Sequence, residues 1–181
     1  TKRLFMQNLP VILRKEIFPI SLILILAFAR LIPHPPNFTP IIAVAILSSY
    51  FFRNIYLSIA TLLVSMLLAD AFIGFYKDML FVYISLLLIP IIFFKISSKI
   101  NYKNLFIFGF VGSLIFYLIS NFGVWLVGNL YSKDIYGLVE CYYLAIPFFR
   151  NTLFSTIFYS YFGLFLMTFI NRFNLKSEKK I

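Results

Sequence analysis

Long apolar runs, broken only by short polar joints, decide what this 181-residue chain can fold into. Hydrophobic residues make up 62% of it and charged residues 12%, whereas soluble domains have roughly 45 to 50% and 25%. Inside a bilayer the backbone N–H and C=O groups must be paired within the protein, and a helix does this within one segment. The sequence therefore predicts an all-α integral membrane protein in which residues 1–181 form a single transmembrane domain.

Six apolar runs predict a bundle of six transmembrane helices with both termini in the cytoplasm. The runs cover about 17–33, 38–52, 55–75, 79–94, 105–127 and 148–170. The second run is short for a full crossing, so it either crosses a thinned part of the bilayer or forms a re-entrant hairpin. The joint at Arg53 and Asn54 predicts an antiparallel hairpin between the second and third runs.

Lysine and arginine are concentrated on one side of this topology, and the positive-inside rule makes that side cytoplasmic. Twelve bases then lie inside and four outside. The outer side also holds four acids, so its charges balance: Arg30, Lys77, Lys133, Arg150, Asp70, Asp78, Asp134 and Glu140. Topology in the bacterial inner membrane therefore explains the formal net charge of +10, and no nucleic-acid partner is needed.

Four polar residues lie within apolar sequence and fall on the outer side: Arg30, Asp70, Asn121 and Arg150. Ionisable groups inside a membrane span usually face a cavity or a partner. This pattern predicts one outward-facing site between the first, third, fifth and sixth helices. Asp70 lies about four residues below the outer end of its helix and would pair with Arg30 or Arg150. A structural ion pair and direct contact with a solute both fit it.

The segment Arg30–Pro40 reads RLIPHPPNFTP, and its prolines forbid a continuous helix. It is either a stiff turn or a preformed lip over a cavity, with His34 and Asn37 supplying hydrogen bonds. One histidine and one cysteine in the whole chain make a nitrogen or sulfur metal site unfavourable, and no cofactor is predicted.

The remaining candidates flank the last two spans. Asn121 and Trp125 are four residues apart and share a helix face, which suits a planar organic ligand, although tryptophan is also common at membrane interfaces. Arg150 opens the last span, where the helix dipole does not favour a cation; a carboxylate, an anionic ligand or snorkelling would hold it. The predicted substrate-binding residues are Asp70, Asn121, Trp125, Arg150 and Asn151, with a rim of Arg30, His34, Asn37 and Glu140.

Six short spans, a Pro-rich first outer loop and an acid near the outer end of the third span resemble the S components of energy-coupling factor transporters. The segments Arg30–Pro40, Ser120–Trp125, Gly137–Glu140 and Ile146–Thr152 resemble an uncharacterised bacterial membrane-protein family related to them. The resemblance implies capture of a vitamin-like micronutrient from outside the cell, with a coupling protein and two ATPases as partners. The chain itself has no Walker motif.

One departure from the S-component pattern leaves other functions open. S components usually dock through an A-x-x-x-A face on the first helix, whereas this chain has Ala27 and Ala29 there and Ala43 and Ala45 on the second. The alternative function is a non-catalytic accessory subunit of a larger membrane complex, whose polar residues would bond between helices or subunits. The sequence shows no motif that pairs a nucleophile with a base, as an enzyme would need. No enzymatic activity is therefore predicted.

Overall fold

The computed structural model describes residues 20–21, 23–25, 28–52 and 54–178, with the side chains at 97–99 and 170–178 left undescribed. Within this part of the chain the regular structure is helical and contains no strand, which confirms the all-α prediction. The α-helices are α1 (Ile41–Phe52), α2 (Ile55–Ile73), α3 (Met79–Phe93), α4 (Leu105–Val127), α5 (Ile135–Leu144) and α6 (Ile146–Glu178). Short 3-10 helices lie at Ala29–Leu31 and Phe94–Lys99.

Four of these helical segments are long and apolar enough to span a membrane: Ile55–Ile73, Met79–Ile96, Leu105–Val127 and Ile146–Phe169. They match the third to sixth predicted runs to within a few residues and are consistent with a membrane protein. The first predicted run, 17–33, lies partly outside the described residues. Its described part is helical and leads into the turn Ala29–Leu31.

Helix α1 occupies the centre of the bundle. Ten of its 12 residues are buried, because α2, α3, α4 and α6 all pack against it. At 1.5 Å per residue it is about 18 Å long, well short of a hydrocarbon core of about 30 Å. Its neighbours cover it, so α1 needs no contact with lipid of its own. Ala43 and Ala45 are fully buried inside this packing.

Polar contacts join α1 to α2 at the predicted hairpin. The Asn54 side chain caps α2 by accepting hydrogen bonds from the backbone N–H groups of Tyr56 and Leu57, at 2.9 and 3.2 Å. The Ser58 hydroxyl donates to the carbonyl of Ser48 at 2.9 Å. A cap of this kind contributes about 1 kcal/mol, and here it fixes where the chain restarts as a helix.

Three glycines let α4 approach its neighbours closely. A Cβ on Gly123 would overlap the side chain of Phe81 of α3, and one on Gly112 would lie 3.2 Å from Ile42 and Ile46 of α1. A Cβ on Gly109 would lie 3.5 Å from the side chain of Ile157 of α6. Gly128, the fourth, does not pack between helices: it ends α4, and its nearest neighbour is the carbonyl of Val124 in the same helix.

Helix α5 lies in the segment 131–147, between the fifth and sixth predicted runs, where the sequence pattern predicts no helix. It begins at Asp134, whose carboxylate accepts a hydrogen bond from the N–H of Gly137 at 2.8 Å. This bond and one from the Ser132 hydroxyl lower the pKa of Asp134. Gly137 and Cys141 face the protein, and Tyr136 and Val139 are exposed. The helix is short and only one side of it is buried, so no long apolar run marks it.

The side of the membrane that each end faces can be tested by labelling. We expect an impermeant maleimide added to intact cells to react with Tyr136→Cys, whose position is 82% exposed, and not with Lys103→Cys in the turn before α4. The parent chain is the control, because its Cys141 is only 1% exposed. Labelling of Lys103→Cys and not of Tyr136→Cys would reverse the predicted orientation.

Candidate functional site

A cavity of about 370 Å³ lies at the end of the bundle where the Pro-rich segment, the α2–α3 joint, the end of α5 and the start of α6 meet. We call this the cavity end, and the cavity the main cavity. Its wall is largely aromatic and aliphatic, with a few polar side chains. The aromatic members are Phe116, Tyr117, Tyr131, Phe148 and Phe149. The polar members apart from the tyrosines are Asn37, Asp78, Ser120, Asn121, Cys141 and Thr152.

Two further cavities adjoin the main one. A side cavity of about 230 Å³ shares Asn37, Asp78, Val82 and Phe116 with it and extends to Arg30. Another, of about 420 Å³, lies between the α2–α3 joint and the end of α4. Asp78 lines all three. The carboxylate at the start of α3 is therefore the residue where the three spaces meet.

Asp70 is fully buried and forms an ion pair with Arg30. The guanidinium Nη2 lies 2.9 Å from Oδ1 of Asp70, and Arg30 is 12% exposed. The hydroxyl of Tyr83 donates a hydrogen bond to the other carboxylate oxygen, Oδ2, at 2.8 Å. Nη1 of Arg30 also contacts the sulfur of Met66 at 3.3 Å. Both oxygens of Asp70 thus have protein partners, and the geometry favours the structural role over direct contact with a solute.

Tyr76 lies beside this pair, in the joint between α2 and α3, and lines the side cavity. Burial, followed by the charge of Asp70, raises the pKa of Tyr76 to about 12, although Arg30 acts in the opposite direction. The phenol therefore stays protonated at neutral pH. It offers the side cavity a neutral hydroxyl rather than a second negative charge.

Asn121 lies in the wall of the main cavity, as predicted. Its amide Nδ2 donates to the carbonyl of Tyr117 one turn earlier, at 2.8 Å, and no described residue donates to its Oδ1. Tyr117 and Tyr142 lock the wall in place: each hydroxyl donates to a backbone carbonyl across the α4–α5 contact, at 2.6 Å. The wall is thus braced, and Asn121 keeps one acceptor for a ligand.

Two predicted residues hold the loops rather than line a cavity. The indole N–H of Trp125 donates to the carbonyl of Ser132 at 2.9 Å, and the ammonium group of Lys133 lies 5.7 Å from the centre of its ring. The Asn151 side chain donates to the carbonyl of Pro36 at 3.0 Å. That bond ties the start of α6 to the Pro-rich segment.

Three predicted residues are exposed and lie outside the linings of all three cavities. The ring nitrogens of His34 contact the carbonyls of Pro35 and Arg30, at 2.8 and 3.2 Å. Glu140 and Arg150 form no ion pair with described residues. Asp70 therefore pairs with Arg30 and not with Arg150, the other predicted partner. Of the rim residues, Asn37 lines the main cavity and Arg30 the side cavity.

Asp78 is a cavity residue that the sequence pattern identifies only as an outer charge. It immediately precedes the apolar run 79–94, and an acid at the start of a helix is a common cap. That position alone suggests a structural role. The sequence contains a second signal. Asp70 has a candidate partner for its charge, and Asp78 is the outer-side acid that lies nearest to Asp70 in the sequence.

The fold and the site define an all-helical protein with four helices able to span a membrane and a solute-sized cavity at one end of the bundle. The chain belongs to a family of unknown function, DUF6580, whose model matches residues 12–176. No curated protein and no solved structure matches the chain.

The Arg30–Asp70 pair predicts a specific pattern of stability changes. Arg30→Ala should lower the free energy of unfolding by about 3 to 5 kcal/mol, because it leaves a buried carboxylate without its cation. Adding Asp70→Asn to that variant should recover much of the loss, because the uncompensated charge is gone. Thermal unfolding of the purified protein in detergent measures both. Equal stability of Arg30→Ala and the parent chain would contradict the pairing.

Proposed function

We propose that this protein binds a small organic solute in the main cavity, which opens to the outside of the cell, in the manner of a substrate-capture S component. The cavity carries the proposal. Ligand sites in proteins have volumes of roughly 300 to 1,000 Å³, with mostly apolar walls and a few placed polar groups. The main cavity has this size and this composition.

The setting of the cavity also supports solute capture. The Pro-rich segment contributes Asn37 to the cavity wall and forms its roof in this proposal. The Arg30–Asp70 pair and the Asn151–Pro36 bond hold this segment at two points. Prolines fix backbone angles, so this segment is ordered before a solute arrives. A preformed roof reduces the entropy lost on binding.

The alternative, an accessory subunit, would need its polar residues for bonds between helices or subunits. A bundle without a polar cavity at the outer end would favour that function. Here Asp78, Asn37 and the Oδ1 of Asn121 line a cavity and have side-chain groups without a partner in the described part of the chain. This arrangement favours a binding role over an accessory one.

Any coupling surface would differ from that of the S components that the sequence resembles. Ala43 and Ala45 are fully buried within α1 and are not available for docking. Ala27 lies outside the described residues, and Ala29 belongs to the 3-10 turn at the cavity end. We therefore propose solute capture without assigning the energy source.

Filling the cavity should abolish solute binding. Val124 lines the main cavity, so Val124→Phe places a ring in the space that the solute would occupy. We expect the parent chain, incubated with a small-molecule extract of its host cells, to carry a bound compound in native mass spectrometry. The Val124→Phe variant should lose it.

Val64→Phe is the matched control, because it makes the same change on the exposed face of α2, at a position that is 51% exposed and outside all three cavities. It should retain the compound. The proposal fails if the parent chain carries no compound, or if Val124→Phe retains as much as Val64→Phe.

A further inference from the structure

We propose, on the basis of the proposed function, that the solute is an organic cation whose protonated amine pairs with Asp78. Asp78 is the only charged residue in the lining of the main cavity, as far as the described residues go. An anionic solute would meet a carboxylate there and no lining cation.

The neighbouring bases do not neutralise Asp78. Arg30, in the side cavity, is paired with Asp70 at 2.9 Å. Lys133 donates to the backbone carbonyls of Trp125 and Gly128. Lys77 shares the third cavity with Asp78, but no ion pair joins them. Among the described residues the carboxylate thus lacks a basic partner within 4.0 Å.

Asp78 is also not used as a helix cap. Aspartate at this position normally accepts a hydrogen bond from the first backbone N–H groups of the helix, yet the Asp78 side chain makes no such bond with α3. The side chain is half-buried, so a negative charge without a hydrogen-bond partner faces a partly desolvated space.

The rest of the wall suits an organic cation. Phe116, Tyr117 and Phe149 present aromatic rings to the same cavity, and ring faces attract ammonium groups. The unpaired Oδ1 of Asn121 can accept a hydrogen bond from an N–H group of the solute. The chemistry that this cavity recognises is therefore an amine on an apolar or aromatic body.

Three probes of nearly equal shape test the charge preference: phenethylamine, phenethyl alcohol and phenylpropionate. We expect phenethylamine to bind the purified protein about tenfold or more tightly than the alcohol, as a charge-assisted hydrogen bond supplies, and phenylpropionate to bind weakest. Equilibrium dialysis gives the three dissociation constants. In Asp78→Asn the advantage of the amine over the alcohol should disappear, and Asp78→Glu should retain part of it.

Asp134→Asn is the matched control. It removes an acid at the same end of the bundle, outside the cavities, and asparagine caps a helix as well as aspartate does. The amine preference should persist in this variant. Equal or tighter binding of phenylpropionate, an amine preference that survives in Asp78→Asn, or binding of none of the three probes at millimolar concentration would overturn the cation assignment. Solute capture would stand in those cases if Val124→Phe alone lost the compound found by native mass spectrometry.

Discussion

The Arg30–Asp70 ion pair is the interaction on which the cavity end depends. A carboxylate with no exposed surface is costly unless a cation and hydrogen bonds accompany it, and Arg30 and Tyr83 supply both. The pair fixes the turn Ala29–Leu31 against α2, at the point where the Pro-rich segment begins. Asn151 fixes the same segment further along, at Pro36. The roof of the cavity therefore has two anchors on different helices.

The same pair determines the charge of the space beneath the roof. If Arg30 were not paired, a cation in the side cavity would compensate Asp78. Because Asp70 neutralises Arg30, the main cavity keeps the negative charge of Asp78, its only charged lining residue among those described. The structural pair and the proposed amine site are thus linked through electrostatics rather than contact. Asp70 pairs with Arg30, and Asp78 remains available to a solute.

The sequence predicted which polar residues lie at the same end of the bundle better than the direction of their side chains. Apolar length and the positive-inside rule placed Asp70, Arg30 and Arg150 at one level, which made an ion pair foreseeable. Depth does not say which way a side chain points around the helix axis, so Arg30 and Arg150 were equivalent candidates. Packing around Asp70 decides for Arg30, and Arg150 is exposed. Helix α5 and Asp78 were missed because short caps and half-buried helices produce no long apolar run.

The short central helix explains why the bundle has a cavity. Gly112 of α4 packs against Ile42, near the start of α1. From Gly112 to Val127 α4 continues for about 22 Å at 1.5 Å per residue, whereas α1 begins at Ile41. The proline at position 40 prevents α1 from extending in that direction. Side chains of α3, α4 and α6 fill this space incompletely, and the main cavity is what remains. The Pro-rich segment that contributes Asn37 to the cavity wall therefore also limits the length of α1 and leaves this space.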